Sequence, residues 1–448
     1  MNSIAPKSPL PKRVSTALLN ALASGVVPRL GIDHLTTGRD RELTTLRQDL
    51  DTIAQGGAAF RLVIGRYGAG KSFLLQSVRS IALDQGFVVA DADITPERRL
   101  TGNNGEARAT YRELLHHLST KSRPDGGALP IILERWIAAV QSEIAAESGA
   151  TPKEEGFDEL VEERIRSLIQ NLSDLVNGFE FANVVIAYWN GYRTDDDRKK
   201  EAALRWFRGE FATKTEARQA LGVRVLIDDE NWYDYVKLLA KFITDIGYKG
   251  LIIILDEAIH LAKISTSISR QNNYDKLLAM FNDTMQGRAA HLGILIGGTP
   301  QFLEDPRRGL YSDPAWQRRT QENRLLTQSG VSDAIAPVIR LEPLSEPHLL
   351  ELMQRLSHIH QQHYGMPKGL TVEDLQQILN AMRSRLGAEA LLTPGDLVRD
   401  VTGILNVLQQ NPTLGLSDVL QQEAKRSREK QQAGDRVLVS EEFAEFTL

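Results

Sequence analysis

Apolar runs of strand length recur along the chain and predict the strands of one sheet. The clearest is Leu251–Leu255, five aliphatic residues that do not alternate with polar ones. Such a run indicates a strand covered on both faces, as in a parallel sheet. The predicted strands are the run that begins at Phe60, Phe87–Ile94, Leu251–Leu255, Leu292–Gly298 and Val338–Leu341.

Between and around these runs, apolar residues recur at the spacing of one helix face. From about residue 101 to residue 248 the pattern is helical and irregular, without a further strand run, which predicts a long helical insertion between two strands. Two polar breaks interrupt it, at residues 150–156 and at 194–200, and the charged second break reads as a solvated turn. The predicted helical stretches are Val14–Leu22, Leu46–Ile53, Ile131–Ile144, Leu160–Leu175, Trp232–Phe242, one opening near Pro347, and Leu397–Leu408.

A glycine-punctuated turn follows the first strand and predicts a nucleotide-binding loop. Gly65, Gly70, Lys71 and Ser72 satisfy G-x-x-x-x-G-K-[ST] between a strand and a helix, as this motif requires. Glycines let successive amides turn inward and bind phosphate at a helix N-terminus. The alternative is a glycine-rich turn without function. The candidate nucleotide-binding residues are Gly65, Arg66, Tyr67, Gly68, Ala69, Gly70, Lys71, Ser72 and Phe73.

Carboxylates follow two of the predicted strands. Asp256 and Glu257 come directly after the aliphatic run, where one carboxylate can hold Mg²⁺ opposite Ser72 and the next can act as general base. Asp91 and Asp93 lie near the end of the second strand and either approach the phosphates or face solvent by alternation. Thr299 follows the fourth strand, where its hydroxyl can reach the γ-phosphate or the attacking water.

Composition limits the class of protein. The chain has 448 residues and a net charge of −5, so it offers no global attraction to nucleic acid, and any such contact must be local. It has no cysteine, which excludes disulfides and thiolate metal sites and fits a cytoplasmic protein. No apolar run approaches the length of a membrane helix, and the helical spacing in the first 25 residues favours a docking helix over a signal peptide.

Other patterns carry weaker signals. His358, His360 and His363 do not share a helix face, so a metal site there is disfavoured. The basic run from Lys425 to Lys430 is expected to be a solvated helix, with nucleic-acid contact as the alternative. The aromatic residues of the insertion are expected to fill its core. They are Trp136, Trp189, Tyr192, Trp206, Trp232 and Tyr233.

With these motifs in order, the chain resembles an AAA+ ATPase with Walker A and Walker B motifs. Gly38 to Leu43 resembles the GR-x-x-E-L segment that leads into the nucleotide domain in the origin-recognition and signalling-ATPase branch. More narrowly, VIGRYGAGKSFLL, IIILDEA, GGTPQFLED, RLEPLS and LTPGDLVRD resemble the BrxD-like ATP-binding proteins of BREX phage-defence systems, over about residues 26–410.

The resemblance implies ATP and Mg²⁺ as ligands and a role for each motif residue. Lys71 and Ser72 would contact phosphate and metal, Asp256 would bind Mg²⁺, and Glu257 would be the base. Thr299 would be the first sensor. An arginine finger acting in trans would be Arg318 or Arg319, and Arg399 would be a second sensor on the lid.

The expected architecture is therefore an α/β P-loop NTPase of AAA+ type, with a parallel sheet, a helical insertion and a C-terminal helical lid. Its expected divisions are an N-terminal amphipathic segment 1–25, a nucleotide-binding domain 26–345 with the insertion at 101–248, a lid 346–410 and a tail 411–448.

The leading functional hypothesis is an ATPase that remodels or assembles a defence complex acting on foreign DNA, as a homo-oligomer with other defence proteins as partners. The alternatives are a nucleotide-gated scaffold or DNA-binding regulatory module with little turnover, and a small-molecule phosphotransferase, which the Asp256-Glu257 pair and the lid disfavour.

Overall fold

The computed structural model describes residues 10–149, 154, 156–170, 178–320, 336–367, 369–386, 392–422 and 425. Its strands are β1 Ala58–Ile64, β2 Val88–Asp93, β3 Leu251–Asp256, β4 Leu292–Gly298 and β5 Val338–Arg340. They form one five-stranded sheet in the order β2-β3-β4-β1-β5, and every neighbouring pair is parallel. The predicted α/β class with a parallel sheet is confirmed, and each predicted strand is present with ends that agree to within two residues.

The central strands are apolar because they are buried on both faces. Every residue of β3 and β4 is buried, which is why their sequences do not alternate. Gly293 of β4 is needed for packing, since a Cβ there would lie 2.8 Å from the Ile252 and Ile53 side chains.

Helices fill the connections between strands, and the predicted insertion between β2 and β3 is helical in all of its described elements. The helices are α1 Lys12–Ala23, α2 Asp40–Ala54, α3 Lys71–Gln85, α4 Glu106–His116, α5 Leu129–Ser148, α6 Phe157–Gln170, α7 Gly178–Arg193, α8 Asp197–Phe207, α9 Lys214–Leu221, α10 Trp232–Thr244, α11 Ile259–Ala262, α12 Ser267–Met285, α13 Pro300–Glu304, α14 Pro314–Thr320, α15 Glu346–Tyr364, α16 Val372–Leu386 and α17 Pro394–Gln410. Among the described residues, no helix is both long enough and apolar enough to cross a membrane.

Contacts between residues divide the chain into two compact units. The first, called here the sheet unit, comprises 41–65 and 78–340, and therefore holds all five strands and the insertion. The second, called the helical unit, comprises the described residues up to Asp40, the short stretch Arg66–Ser77, and the described residues from Leu341 onward.

Aromatic residues build the core of the sheet unit and its insertion. Phe60 of β1 packs edge-on against Phe281 at a centroid distance of 5.3 Å, and both contact Trp316. Of the six aromatic residues predicted to fill the insertion core, five are buried, whereas the prediction was wrong for Tyr192, which is 48% exposed at the end of α7.

The helical unit has its own apolar core, contributed by α1, α15, α16 and α17. Leu18 of α1, Leu356 of α15, Ile378 of α16 and Val401 of α17 are all buried in it. Leu18 and Leu22 of the predicted apolar face of α1 are buried in this core, whereas Ala17 of that face is exposed and Ser15, predicted on the opposite face, is buried.

The charged run at 194–200 is not a simple turn. Asp196 is the N-cap of α8, and its side chain accepts hydrogen bonds from the backbone N–H groups of Arg198 and Lys199, both at 3.1 Å. The run is therefore mostly the start of a helix, because an acidic N-cap and acidic first turn favour helix initiation. Most of the predicted break at 150–156, the end of the stretch predicted to reach Leu175, and most of the basic tail lie outside the described residues.

Candidate functional site

The glycine-rich loop leaves the sheet at the end of β1. Gly65 donates its N–H to the carbonyl of Gly298 at the end of β4, at 3.1 Å. The connection leaving β1 runs past β4 and β3 to β2, whereas the one leaving β4 runs to β5 on the other side of β1. Two neighbouring strands whose connections diverge in this way form a switch point, where α/β sheets bind ligands.

The loop itself has the backbone that its glycines predict. Gly68 and Gly70 have φ values of +74° and +92°, in the region that other residues rarely adopt. Helix α3 begins at Lys71, and its first turn is closed by the bond from Leu74 N–H to the Gly70 carbonyl at 2.9 Å. The turn therefore ends at a helix N-terminus, which is suited to binding anions.

Lys71 lies folded against its own loop. Its ammonium donates to the Arg66 carbonyl at 3.2 Å and lies 5.3 Å from the centroid of the Tyr67 ring. Lys71 is buried, whereas Tyr67 is 60% exposed. A cation held at the loop in this way can contact an incoming phosphate after a small movement of its flexible side chain.

The first turn of α17 contacts the loop within the helical unit. Gly395 donates its N–H to the Gly68 carbonyl at 3.3 Å. A Cβ at Gly68 would lie 2.4 Å from Thr393 Oγ1, so only glycine allows this approach. Thr393 is also the N-cap of α17, accepting from the Asp396 N–H at 3.2 Å.

A second contact to the loop comes from Arg39, the residue just before α2. Arg39 is buried; Nη2 donates to the Ala69 carbonyl and Nη1 to the Glu342 carbonyl, both at 2.9 Å. The sequence placed Gly38 and Arg39 in a segment that leads into the nucleotide domain and assigned the arginine no partner. The Gly38-Arg39 pair was the sequence signal for this site, but the local sequence does not indicate that Arg39 donates to Ala69 and Glu342.

In the sheet unit, Asp256 and Glu257 lie at the carboxyl end of β3. Asp256 is buried and accepts a hydrogen bond from the Glu257 N–H at 2.8 Å. Glu257 has a φ of +56°, which is uncommon for a residue with a side chain. The structure therefore fixes the backbone of the predicted base in a strained conformation, a feature that clusters at functional positions.

Asp93 is the register partner of Asp256 on the neighbouring strand. Its side chain reaches the surface, but partial removal of the carboxyl group from water raises the pKa of Asp93, and the negative charge of Asp256 raises it further. Two carboxylates therefore meet at this edge of the sheet.

Asp91 has a different environment, because it is buried rather than facing solvent. Arg79 Nε donates to Asp91 Oδ1 at 3.1 Å, and Arg79 Nη2 donates to Ser119 Oγ at 2.8 Å. The interpretation of Asp91 as a solvent-facing residue was wrong, because a buried guanidinium pairs with it.

Thr299 is buried at the end of β4 and caps α13, accepting from the Phe302 N–H at 3.3 Å. It therefore lies at the same edge of the sheet as Asp256, since parallel strands end together.

The predicted arginines are exposed. Arg318 and Arg319 lie on α14, where Arg319 Nε donates to Asn282 Oδ1 at 3.3 Å. Arg399 lies on the outer face of α17, where its guanidinium is 3.3 Å from Asp396 and 3.4 Å from Asp400. Arg324, a neighbouring arginine of the sequence, lies outside the described residues.

The three histidines of α15 have separate partners. His358 contacts Gln362, His360 contacts Asn406 of α17, and His363 contacts Ser15 of α1. In the ranges that the structure describes, no three His, Cys, Asp or Glu side chains gather closely enough to hold a metal ion.

The fold and these residues define an α/β protein with a parallel sheet and a phosphate-loop sequence at the end of a central strand. The family model of the BREX system ATP-binding protein BrxC/D matches residues 10–424, and the chain belongs to this family. A comparison with curated proteins finds no match. Membership of this family implies ATP binding within a phage-defence system.

Proposed function

We propose that this chain is a Mg²⁺-dependent ATPase with the P-loop NTPase fold of AAA+ type. The observation that carries the proposal is the course of the chain from β1 at a switch point into a loop with two left-handed glycines and a helix that begins at Lys71. Such a loop offers inward-facing amides and one cation to a polyphosphate.

The loop residues Gly65 to Phe73 bind the phosphates in this proposal. The Lys71 ammonium exchanges the Arg66 carbonyl for phosphate oxygens, and the backbone N–H groups of the loop donate to them. Interactions of this kind position the substrate and neutralise the charge that develops during phosphoryl transfer.

Ser72 and Asp256 fit Mg²⁺ because both offer oxygen atoms, the ligands that this hard cation prefers. When bound, the metal would neutralise charge on the phosphate oxygens. Ser72 is the second residue of α3, and Asp256 is the last residue of β3, so a rigid element positions each of them.

Glu257 is the proposed general base. Its carboxylate would accept the proton of the attacking water, while the bond from its N–H to Asp256 holds the backbone in place. Thr299 is the proposed first sensor, at the end of the neighbouring strand β4. Arg399 is the proposed second sensor, and Arg318 or Arg319 the finger supplied to another copy.

The proposed biological role is the remodelling or assembly of a BREX-type complex that acts on foreign DNA, by a cytoplasmic homo-oligomer with other defence proteins as partners. The expected domains, 26–345 for nucleotide binding and 346–410 for the lid, remain part of this proposal.

A nucleotide-gated scaffold is the second candidate. The contact of α17 with Gly68 favours the scaffold, since a ligand that changes the loop conformation would also change the contact between the loop and that helix.

The test is ATP binding and turnover by the full chain, with and without duplex DNA. Lys71→Ala should lower ATP affinity and turnover together, because the lost contact is made in both ground and transition states. Lys263→Ala, which removes an exposed lysine, is the matched control and should change neither. Undiminished ATP affinity of Lys71→Ala in calorimetry would refute the phosphate-loop role, and ATP binding without turnover would favour the scaffold.

A further inference from the structure

Arg39 makes two hydrogen bonds that join separate parts of the helical unit. One goes to the carbonyl of Ala69 inside the phosphate loop, and the other to the carbonyl of Glu342 in the segment before α15. A buried guanidinium bound to two main-chain carbonyls fixes the geometry at both, because its planar fork is rigid.

The bond to Ala69 also fixes the next amide. The Ala69 carbonyl and the Gly70 N–H belong to one planar peptide unit, so in the usual trans form they point in opposite directions. Holding the carbonyl oxygen toward Arg39 therefore turns the Gly70 N–H away from Arg39. Without this bond, the peptide next to a glycine would rotate easily, since Gly70 tolerates many backbone angles.

The segment that carries Arg39 is itself anchored on α15. Thr37 Oγ1 donates to Glu351 at 2.6 Å, and Arg355 Nη1 donates to the Thr36 carbonyl at 2.9 Å. A Cβ at Gly38 would lie 2.7 Å from the His348 ring, so the chain passes tightly against the helix. The guanidinium of Arg39 is therefore held in place before any ligand arrives.

We propose that Arg39 is a positioning residue for phosphate binding, which orients the Gly70 amide and adds positive charge behind the loop. The inference rests on the proposed function and deepens it. Arg39 acts through the loop, and the part of the ligand that it affects is the polyphosphate.

The experiment measures the affinities of ATP and of inorganic tripolyphosphate by calorimetry. Arg39→Ala should weaken both ligands by a similar factor of about ten or more, since a charged hydrogen bond that orders a binding group is lost. Weakened ATP with unchanged tripolyphosphate would overturn the proposal, because Arg39 would then act at the base or ribose.

Arg383→Ala is the matched control. It removes another guanidinium from the helical unit, an exposed one on α16 that donates to Glu346 and is not among the contacts that anchor the Arg39 segment. This variant should bind both ligands within about threefold of the original chain, since exposed ion pairs contribute little. Equal losses of affinity in Arg39→Ala and Arg383→Ala would mean general loosening of the unit and would overturn the proposal.

Arg39→Lys keeps the test decisive if Arg39→Ala fails to fold. Lysine retains the charge but presents no planar fork, so affinity for both ligands should recover only in part. Full recovery would show that charge alone matters and would contradict the positioning role. If the original chain binds no ATP, the proposed function fails; if Lys71→Ala loses ATP and Arg39→Ala does not, only this inference fails.

Discussion

Glu257 occupies a backbone conformation that most residues avoid, at the position proposed for the general base. Its φ of +56° comes directly after buried β3, and its N–H is bound by the preceding Asp256 side chain. Non-glycine residues in this region cost roughly 1–3 kcal/mol, and they persist where the surroundings hold them. The conformation therefore favours a functional role for the side chain over a structural one.

Replacing Glu257 by Gln keeps the shape and removes the basic oxygen. We expect ATP affinity to stay within a few fold and turnover to fall by about a hundredfold or more, since general base catalysis is lost. Calorimetry and a steady-state phosphate-release assay check the two quantities. Near-normal turnover would assign the base elsewhere, and Asp93, the register partner of Asp256, is the next candidate because Asp91 pairs with Arg79.

Replacing Glu257 by Gly should separate stability from activity. Glycine adopts positive φ without strain, so we expect the free energy of unfolding to rise by about 1 kcal/mol while turnover is lost. Chemical denaturation of the two chains measures the difference. A destabilised Glu257→Gly chain would show that the side chain stabilises the fold and would count against a strained catalytic position.

At the scale of whole elements, the strands and several of the helices were predictable because their local sequence patterns report burial and helix caps. Leu251–Leu255 and Leu292–Gly298 are buried on both faces, and the pattern of each run reports that burial directly. Thr393 and Pro394 begin α17 as their cap chemistry predicts. Contacts between distant segments were not predictable in this way.

The site shows the same limit. The sequence predicted the loop and its glycines, but not that Gly68 must lack a Cβ for Thr393 to approach, nor that Arg39 donates to Ala69. Gly68 and Thr393 are hundreds of positions apart in the sequence, and Arg39 and Ala69 are tens of positions apart. No local sequence pattern therefore indicates either contact. The burial of Asp91 was likewise not predictable, because it depends on an ion pair with Arg79, which lies on a different element.

A buried histidine between α15 and α17 makes the stability of the helical unit depend on pH. His360 is fully buried; its Nε2 contacts Asn406 Oδ1 at 3.0 Å, while its Nδ1 has no hydrogen-bond partner among the described residues. Burial lowers the pKa of His360 below its ordinary value; the hydrogen bond with Asn406 opposes this shift, and the nearby His363 adds to it. The folded unit therefore takes up a proton at lower pH than the unfolded chain does.

We expect the stability from this histidine to be complete above about pH 6.5 and to be lost as the pH falls from there toward the folded pKa. Thermal unfolding of the full chain between pH 7.5 and pH 5 checks this. His360→Gln should flatten the pH dependence, whereas His358→Gln, at an exposed position of the same helix, should leave it unchanged. Identical pH profiles for the original chain and His360→Gln would contradict the assignment.

At the scale of the whole molecule, the exposed pair Arg318 and Arg319 raises the question of assembly. An arginine finger supplied by a neighbouring subunit contributes about 10³–10⁵ in kcat. If this pair serves another copy, specific activity should rise with protein concentration. A chain with Lys71→Ala and a chain with Arg318→Ala and Arg319→Ala should together recover part of the activity, because each supplies what the other lacks.

The measurement is phosphate release by the mixed chains, with co-assembly checked by sedimentation. Arg288→Ala, which removes an exposed arginine elsewhere in the sheet unit, is the control and should remain as active as the original chain. Mixtures that co-assemble but stay as inactive as either parent would leave Arg318 and Arg319 as surface charge.

The helical unit joins segments from the two ends of the described chain, so it cannot fold until late in synthesis. Ser15 of α1 bonds to His363 of α15 across a sequence separation of 348 residues, and Leu18 packs into the same core. At synthesis rates of about 5–20 residues per second, α1 leaves the ribosome roughly 20–70 seconds before that partner exists. During this interval the sheet unit is synthesised, and the apolar face of α1 lacks its neighbours on α15 and α17. The nascent chain is then most exposed to aggregation at its beginning, and chaperone binding near α1 should last until α15 emerges.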